Sequence, residues 1–255
     1  MRVKDFFKEY KLGNSLVYIN VIEVEEIDSS FENLLDSNLS IICQGKSVGD
    51  VKRLKQRIKD LFKKKDEKWQ MGAIAEFFVH LGVNLMGYKQ ECLFLNLEEN
   101  QIKKGFDGLY TKDNEKWIME SKSGLISTKN ISHKSKLQEA LDDLEEKLSG
   151  KTRNNPWQNA FNHASVIKVR DQKLLDNIEE ISNDFIDGKF RKISDFNIIP
   201  SATIFLNDAW NPTKKEEILN SIKPLFVNLS SKNVHFVCIS QKSINLFKKY
   251  VGIET

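Results

Sequence analysis

The spacing of apolar and polar positions divides the chain into short elements of both kinds. Residues 16–24 (LVYINVIEV) are rich in β-branched and aromatic side chains between Gly13-Asn14 and Asp28-Ser29-Ser30, which predicts a strand. Residues 31–43 follow no clear period. Val48, Val51, Leu54, Ile58, Leu61 and Phe62 recur at helical spacing and predict an amphipathic helix over 48–65, its basic residues facing outward. Residues 69–83 are apolar nearly all round, the signature of a buried helix. Three consecutive strands are expected at 92–97, 105–111 and 116–121, then a polar helix over 133–149 closed by Gly150. Beyond a loop at 151–156, helices are expected at 157–168 and 172–187. The tail alternates strand 201–206, helix 213–222 with Pro212 at its start, strand 234–240 and helix 241–250. This is the pattern of an α/β protein, without repeats or low-complexity tracts.

At 255 residues the chain has room for one large domain or two modest ones. All four prolines fall after residue 155. Residues 1–68 read as an N-terminal strand and basic helix region, and 69–255 as a core with a C-terminal α/β extension, the two able to form one continuous domain. An apolar fraction of 40% with 16 Phe supplies a sizeable core and excludes a disordered chain. No apolar run approaches the ~20 residues needed to span a bilayer. The charged start, Met1-Arg2-Val3-Lys4-Asp5, has no signal-peptide core. Cys43, Cys92 and Cys238 lie far apart without a CxxC pair, which disfavours a disulfide scaffold or a zinc finger and makes a reducing cytoplasm the expected location. The net charge of +3 says little by itself, but residues 46–68 hold ten Lys/Arg against four Asp/Glu. Lys52, Arg53, Arg57 and Lys63 on that stripe are the candidates for nucleic-acid binding.

The chemistry is concentrated in Lys103-Lys104-Gly105-Phe106-Asp107-Gly108, a polar turn at Lys112-Asp113-Asn114-Glu115, and Trp117-Ile118-Met119-Glu120-Ser121-Lys122. Side chains alternate along a strand, so Ile118, Glu120 and Lys122 share one face and Trp117, Met119 and Ser121 the other. A turn of hairpin length brings Asp107 across from Glu120 and Lys122. Charges on a core strand cost several kcal/mol unless they are paired or bind an ion. Carboxylates with free oxygens suit Mg²⁺, with Mn²⁺ as an alternative, and such an ion acidifies bound water and stabilises charge on a scissile phosphate. Lys122 can position or deprotonate that water, or offset phosphate charge. Glu76, the single carboxylate between Glu67 and Glu91, sits inside the apolar helix and is a third candidate ligand. Gly72 and Ala73 on its row would let that helix approach the sheet closely.

Glu76, Asp107 and Glu120-Ser121-Lys122, in this order, resemble the PD-(D/E)xK nuclease superfamily, with Phe106 where the family often has Pro. The resemblance implies a restriction-endonuclease-like mixed central sheet flanked by helices. It also implies a metal-dependent DNA phosphodiesterase with Asp107, Glu120, Lys122 and Glu76 as catalytic residues, the three acids holding metal. A later helix often adds Gln or Lys to such sites, and Gln138 is the candidate here. Residues 69–150 further resemble the nuclease subunit of Hachiman-type anti-phage defence systems, which works with a helicase. The alternatives are a free-standing restriction endonuclease and a non-catalytic nucleic-acid-binding module in which the same charges form a buried network.

Other chemistries have less support. His80, His133, His163 and His235 show no metal-ligand spacing, and His133 reads as a surface residue. Gly45-Lys46-Ser47 echoes the end of a Walker A loop, but no Gly-rich turn precedes it. No GxSxG elbow occurs. Trp157, Phe161 and Trp210 read as core.

Overall fold

The computed structural model describes residues 8–11, 17–45, 49–95, 105–152, 154–166, 171–227, 229 and 231–254. In chain order the first half runs β1 (Lys8–Lys11), β2 (Val17–Val24), α1 (Ser29–Gln44), α2 (Val51–Lys63), α3 (Glu67–Leu85), β3 (Lys89–Gln90), β4 (Gly108–Lys112) and β5 (Glu115–Leu125). The second half runs α4 (His133–Leu148), α5 (Pro156–Val166), α6 (Gln172–Ile186), β6 (Asn197–Phe205), α7 (Lys215–Val227), β7 (Val234–Gln241) and α8 (Asn245–Tyr250). The strands join in one mixed sheet ordered β1-β2-β7-β6-β5-β4-β3. Its centre, β2, β7, β6 and β5, is parallel, and antiparallel strands flank it on both sides. The sheet therefore joins a strand from the first 68 residues to the last strand of the chain.

Helices cover both faces, as a parallel sheet requires. On one face Phe31 and Leu35 of α1, Leu54 and Ile58 of α2, Phe77 and Phe78 of α3 and Phe247 of α8 pack against Trp117, Met119, Val237 and Ile239. On the other, Leu137, Leu141 and Leu144 of α4, Trp157 of α5, Ile178 of α6 and Ile222 of α7 pack against Leu109, Ile118, Ala202 and Phe236. The alternation expected along β5 is present, with Trp117 and Met119 in one layer and Ile118 in the other. No helix among the described residues is long and apolar enough to cross a membrane, and all three cysteines are buried.

Local signals explain where the elements begin. Asp28, Asp50 and Asp66 each cap a helix, accepting a hydrogen bond from the backbone N–H three residues on. Ser132 and Ser135 form a reciprocal capping box at the start of α4. Between β4 and β5, Asp113 and Asn114 both take left-handed φ (52° and 62°), the backbone a two-residue type I′ hairpin demands.

Several boundaries differ from those the pattern suggests. Residues 31–43 are helical: Phe31, Leu35, Leu39 and Ile42 bury one stripe, and Asp28 and the left-handed Gly45 fix the ends. The strand expected at 92–97 does not form over Cys92–Leu95, where Phe94 N–H instead donates to Ile42 C=O at 3.1 Å, and 96–97 lie outside the described residues. Phe94 and Leu95 are apolar because they pack with α1 and α3, and Cys92 and Leu93 because they lie beside α5, not because the run pairs as a strand. β5 continues to Leu125, so Glu120 and Lys122 lie within it rather than at its end. Gly72 makes no close approach, since a Cβ there would meet nothing within 4 Å. Lys46, Ser47, Lys103 and Lys104 lie outside the described residues.

Candidate active site

β4 and β5 pair with Gly108 opposite Met119, which brings the turn before Gly108 beside Glu120 and Ser121. The half-buried Asp107 is fixed there by the backbone N–H of Ser121, which donates to its Oδ2 at 2.9 Å. Gly105 sets that turn against the start of α5: a Cβ there would lie 2.3–2.7 Å from the backbone of Pro156. Glu120 is only 2% exposed. Lys122 Nζ donates to Glu120 Oε1 at 3.0 Å, and Lys147 Nζ donates to Oε2 at 2.5 Å. Lys122 also donates to Asp143 Oδ2, and Lys147 lies 3.3 Å from that same oxygen. The result is a buried carboxylate gripped by two ammonium groups, with a second carboxylate behind them.

The electrostatics follow from this packing. Burial, then the nearby charge of Asp107, holds the Glu120 carboxyl well above the usual carboxylate range, and the two lysines pull it back only in part. Asp107 is raised by burial and by the charge of Glu76. Burial favours loss of the Lys122 proton, but Glu120 and Asp143 outweigh it and hold the ammonium above the ordinary lysine value. Lys147 is raised likewise by Glu120 and Asp107. Burial pushes Asp143 up, yet hydrogen bonds with Glu120 and Lys122 and the charge of Lys147 leave it depressed.

Glu76 approaches from the other helix layer. It is on α3, 13% exposed in its side chain, with Oε1 3.5 Å from His80 Nε2. Its charge reaches Asp107 and Tyr110. His80 Nδ1 in turn bonds the Tyr110 hydroxyl. Among the described residues no three His, Cys, Asp or Glu side chains stand together as a ready cation cage. The donors are nonetheless hard oxygens on acids whose charges crowd one another, Glu76 raising Asp107 and Asp107 raising Glu120, the chemistry that favours a small divalent ion.

The structure thus brings Asp107, Glu120 and Lys122 together and sets Glu76 within electrostatic range. It does not bring the remaining candidates to them. Gln138 is exposed and donates to Asp142 Oδ1 at 2.7 Å. Lys52, Arg53, Arg57 and Lys63 are exposed on α2, in the helix layer opposite Glu120, and Arg53 pairs with Asp50 at 3.1 Å. Lys55 of the same stripe pairs internally with Asp36 at 2.9 Å. His133 is not a surface residue. It is 3% exposed, with Nε2 3.1 Å from the carbonyl of Ile239, because the first turn of α4 lies over the end of β7.

Asp143 and Lys147 are the residues that sequence reasoning missed. Their signal was present: they lie four apart and directly precede Leu144 and Leu148, so they border the apolar stripe that faces β5. Gln138 falls on the other side of that stripe.

A mixed α/β sheet covered on both faces by helices, with an acid just before one strand of a hairpin and Glu-x-Lys on the other, has the architecture of the restriction-endonuclease-like class. Within that class, the family model of HamA matches residues 5–252, and the chain belongs to the HamA family, a component of Hachiman anti-phage defence systems. No curated protein matches the sequence.

Proposed function

We propose that the chain is the metal-dependent nuclease of its defence system, hydrolysing DNA phosphodiester bonds in company with a helicase. The observation that carries this reading is the meeting of Asp107, Glu120 and Lys122 across the β4–β5 hairpin, around a carboxylate that is almost fully buried. Membership of a multi-component defence family supports the helicase partnership. Asp107 and Glu120 are the groups that would hold Mg²⁺ or Mn²⁺, with Glu76 assisting from α3. When bound, the ion would supply an acidified water and stabilise charge on the phosphate. Lys122, held protonated by two carboxylates, serves better to orient the attacking water and offset phosphate charge than to take a proton. The exposed cations Lys52, Arg53, Arg57 and Lys63 are proposed contacts for the nucleic-acid backbone, on the strength of their charge.

Nicking of plasmid DNA with Mg²⁺, by wild type, Glu120→Ala and Lys122→Ala, each with its defence partner, tests this. Cleavage is expected from wild type alone, and equal cleavage by all three removes the assignment.

One observation favours a second reading. Both oxygens of Glu120 are already engaged by lysines, as they would be in a buried ion network without chemistry. Calorimetric titration with Mn²⁺ separates the two, because such a network binds no divalent ion.

A further inference from the structure

Lys147 holds a position that the nuclease reading leaves unexplained. It lies four residues after Asp143 on α4, with 13% of its side chain exposed, and takes the one Glu120 oxygen that Lys122 does not. Any divalent ion that claims Glu120 Oε2 must remove Lys147 from it. A lysine expelled from a buried carboxylate needs another partner, or its desolvation is uncompensated. Asp143 Oδ2, 3.3 Å from the same Nζ, is that partner, and Lys122 already donates to it.

We infer that Lys147 is an exchangeable counter-cation for Glu120, with Asp143 as the carboxylate that receives it when a divalent ion binds. The inference rests on the metal-dependent nuclease reading and deepens it. Lys147 acts through Glu120 and is a positioning residue. While bound, it keeps the Glu120 carboxylate compensated and aimed across the hairpin; when displaced, it is left with the ion pair it already makes to Asp143 on its own helix and keeps its positive charge beside the site. No covalent step is involved, only exchange of one cation for another on the same oxygen.

The two members of the pair should shift divalent-ion affinity in opposite directions. Lys147→Met removes the competitor, and Mn²⁺ affinity should rise about tenfold, or about 1.4 kcal/mol. Asp143→Asn removes the receiving carboxylate and leaves both lysines to Glu120, so affinity should fall several-fold. Lys147→Arg keeps the cation and should not tighten binding. Lys134→Met removes an exposed cation from the same helix without touching Glu120, and should change affinity by less than about twofold, since exposed charges are screened. Free Mn²⁺ is read by electron paramagnetic resonance during titration of the full chain, so cleavage is not the readout. Circular dichroism reports folding, and Lys147→Gln, which keeps a neutral donor to Glu120, replaces Lys147→Met if the latter does not fold.

A purely structural role for Lys147 would lower the melting temperature and leave Mn²⁺ affinity where it was. If wild type binds Mn²⁺, Glu120→Gln does not, and Lys147→Met and Lys147→Gln bind like wild type, the exchange is refuted while the nuclease reading stands. If tightening in Lys147→Met is matched by Lys134→Met, the effect is long-range charge and the exchange is refuted. If neither wild type nor any variant binds Mn²⁺, the metal-dependent reading falls and the exchange with it.

Discussion

Acid should loosen α4 through its first residue. His133 is 3% exposed, and its Nε2–H donates to the Ile239 carbonyl, which pins the start of α4 to β7. Burial pushes the imidazole from its ordinary 6.5 down to about 4, against the smaller opposing pull of that hydrogen bond. The unfolded chain therefore takes a proton near pH 6.5 while the folded chain resists until about pH 4. The stabilisation is complete above pH 6.5, declines as pH falls through the interval, and has gone below pH 4. At about 1.4 kcal/mol per pH unit, that gap is worth about 3 kcal/mol. His133→Gln keeps a donor for Ile239 and cannot titrate. Urea unfolding followed by circular dichroism at pH 7, 6, 5 and 4 should show wild type losing about 3 kcal/mol more than the variant over that range. His235, buried and held near 3 by the same cause, remains in both proteins and cancels. Parallel stability curves would refute the reasoning, because they would mean His133 is solvated or already charged at neutral pH. Since α4 also carries Asp143 and Lys147, the same titration should weaken their hold on Glu120.

Three further outcomes follow from the geometry. Glu120→Ala strips two lysines of a shared partner and should cost about 2–3 kcal/mol, less than a fully buried break because both ammonium groups reach water; Glu120→Gln should keep most of that stability yet lose cleavage at least about 100-fold, and wild-type cleavage by the Gln variant would sink the ligand role. Gly105→Ala sets a methyl against the Pro156 backbone and should cost about 1–3 kcal/mol in urea unfolding, displacing Asp107 as it does so; an unmoved midpoint would show that the close approach is absent. Replacing Lys52, Arg53, Arg57 and Lys63 together by Ala should flatten the salt dependence of DNA binding by about 3–4 in log–log slope, whereas an unchanged slope would remove α2 from the nucleic-acid surface.

The α/β class, the elements after residue 115 and the acid–acid–lysine spacing were legible in the sequence, because each rests on interactions within a few residues. Alternation along β5 assigned Glu120 and Lys122 to one face, and the short polar turn set Asp107 beside them. Helix α1 was harder to read because apolar residues outside its buried stripe, Leu34 and Ile41 among them, blur the period. The run Cys92–Leu95 misled for the converse reason, since burial under helices produces the same apolar signature as a central strand.

What the sequence alone determined was therefore local: which residues carry charge, which face of a strand they take, and where the caps stop a helix. Tertiary structure decided which distant groups meet them. The burial of Leu137, Leu141, Leu144 and Leu148 rotates α4 so that Asp143 and Lys147, not Gln138, arrive at Glu120, and it draws His133 into the core. It also set α2 and its cations across the sheet from that cluster. The physical reason is range. Periodicity and capping act over a turn or two, whereas the meeting of α4 with β5 depends on the whole apolar stripe finding its place on the sheet.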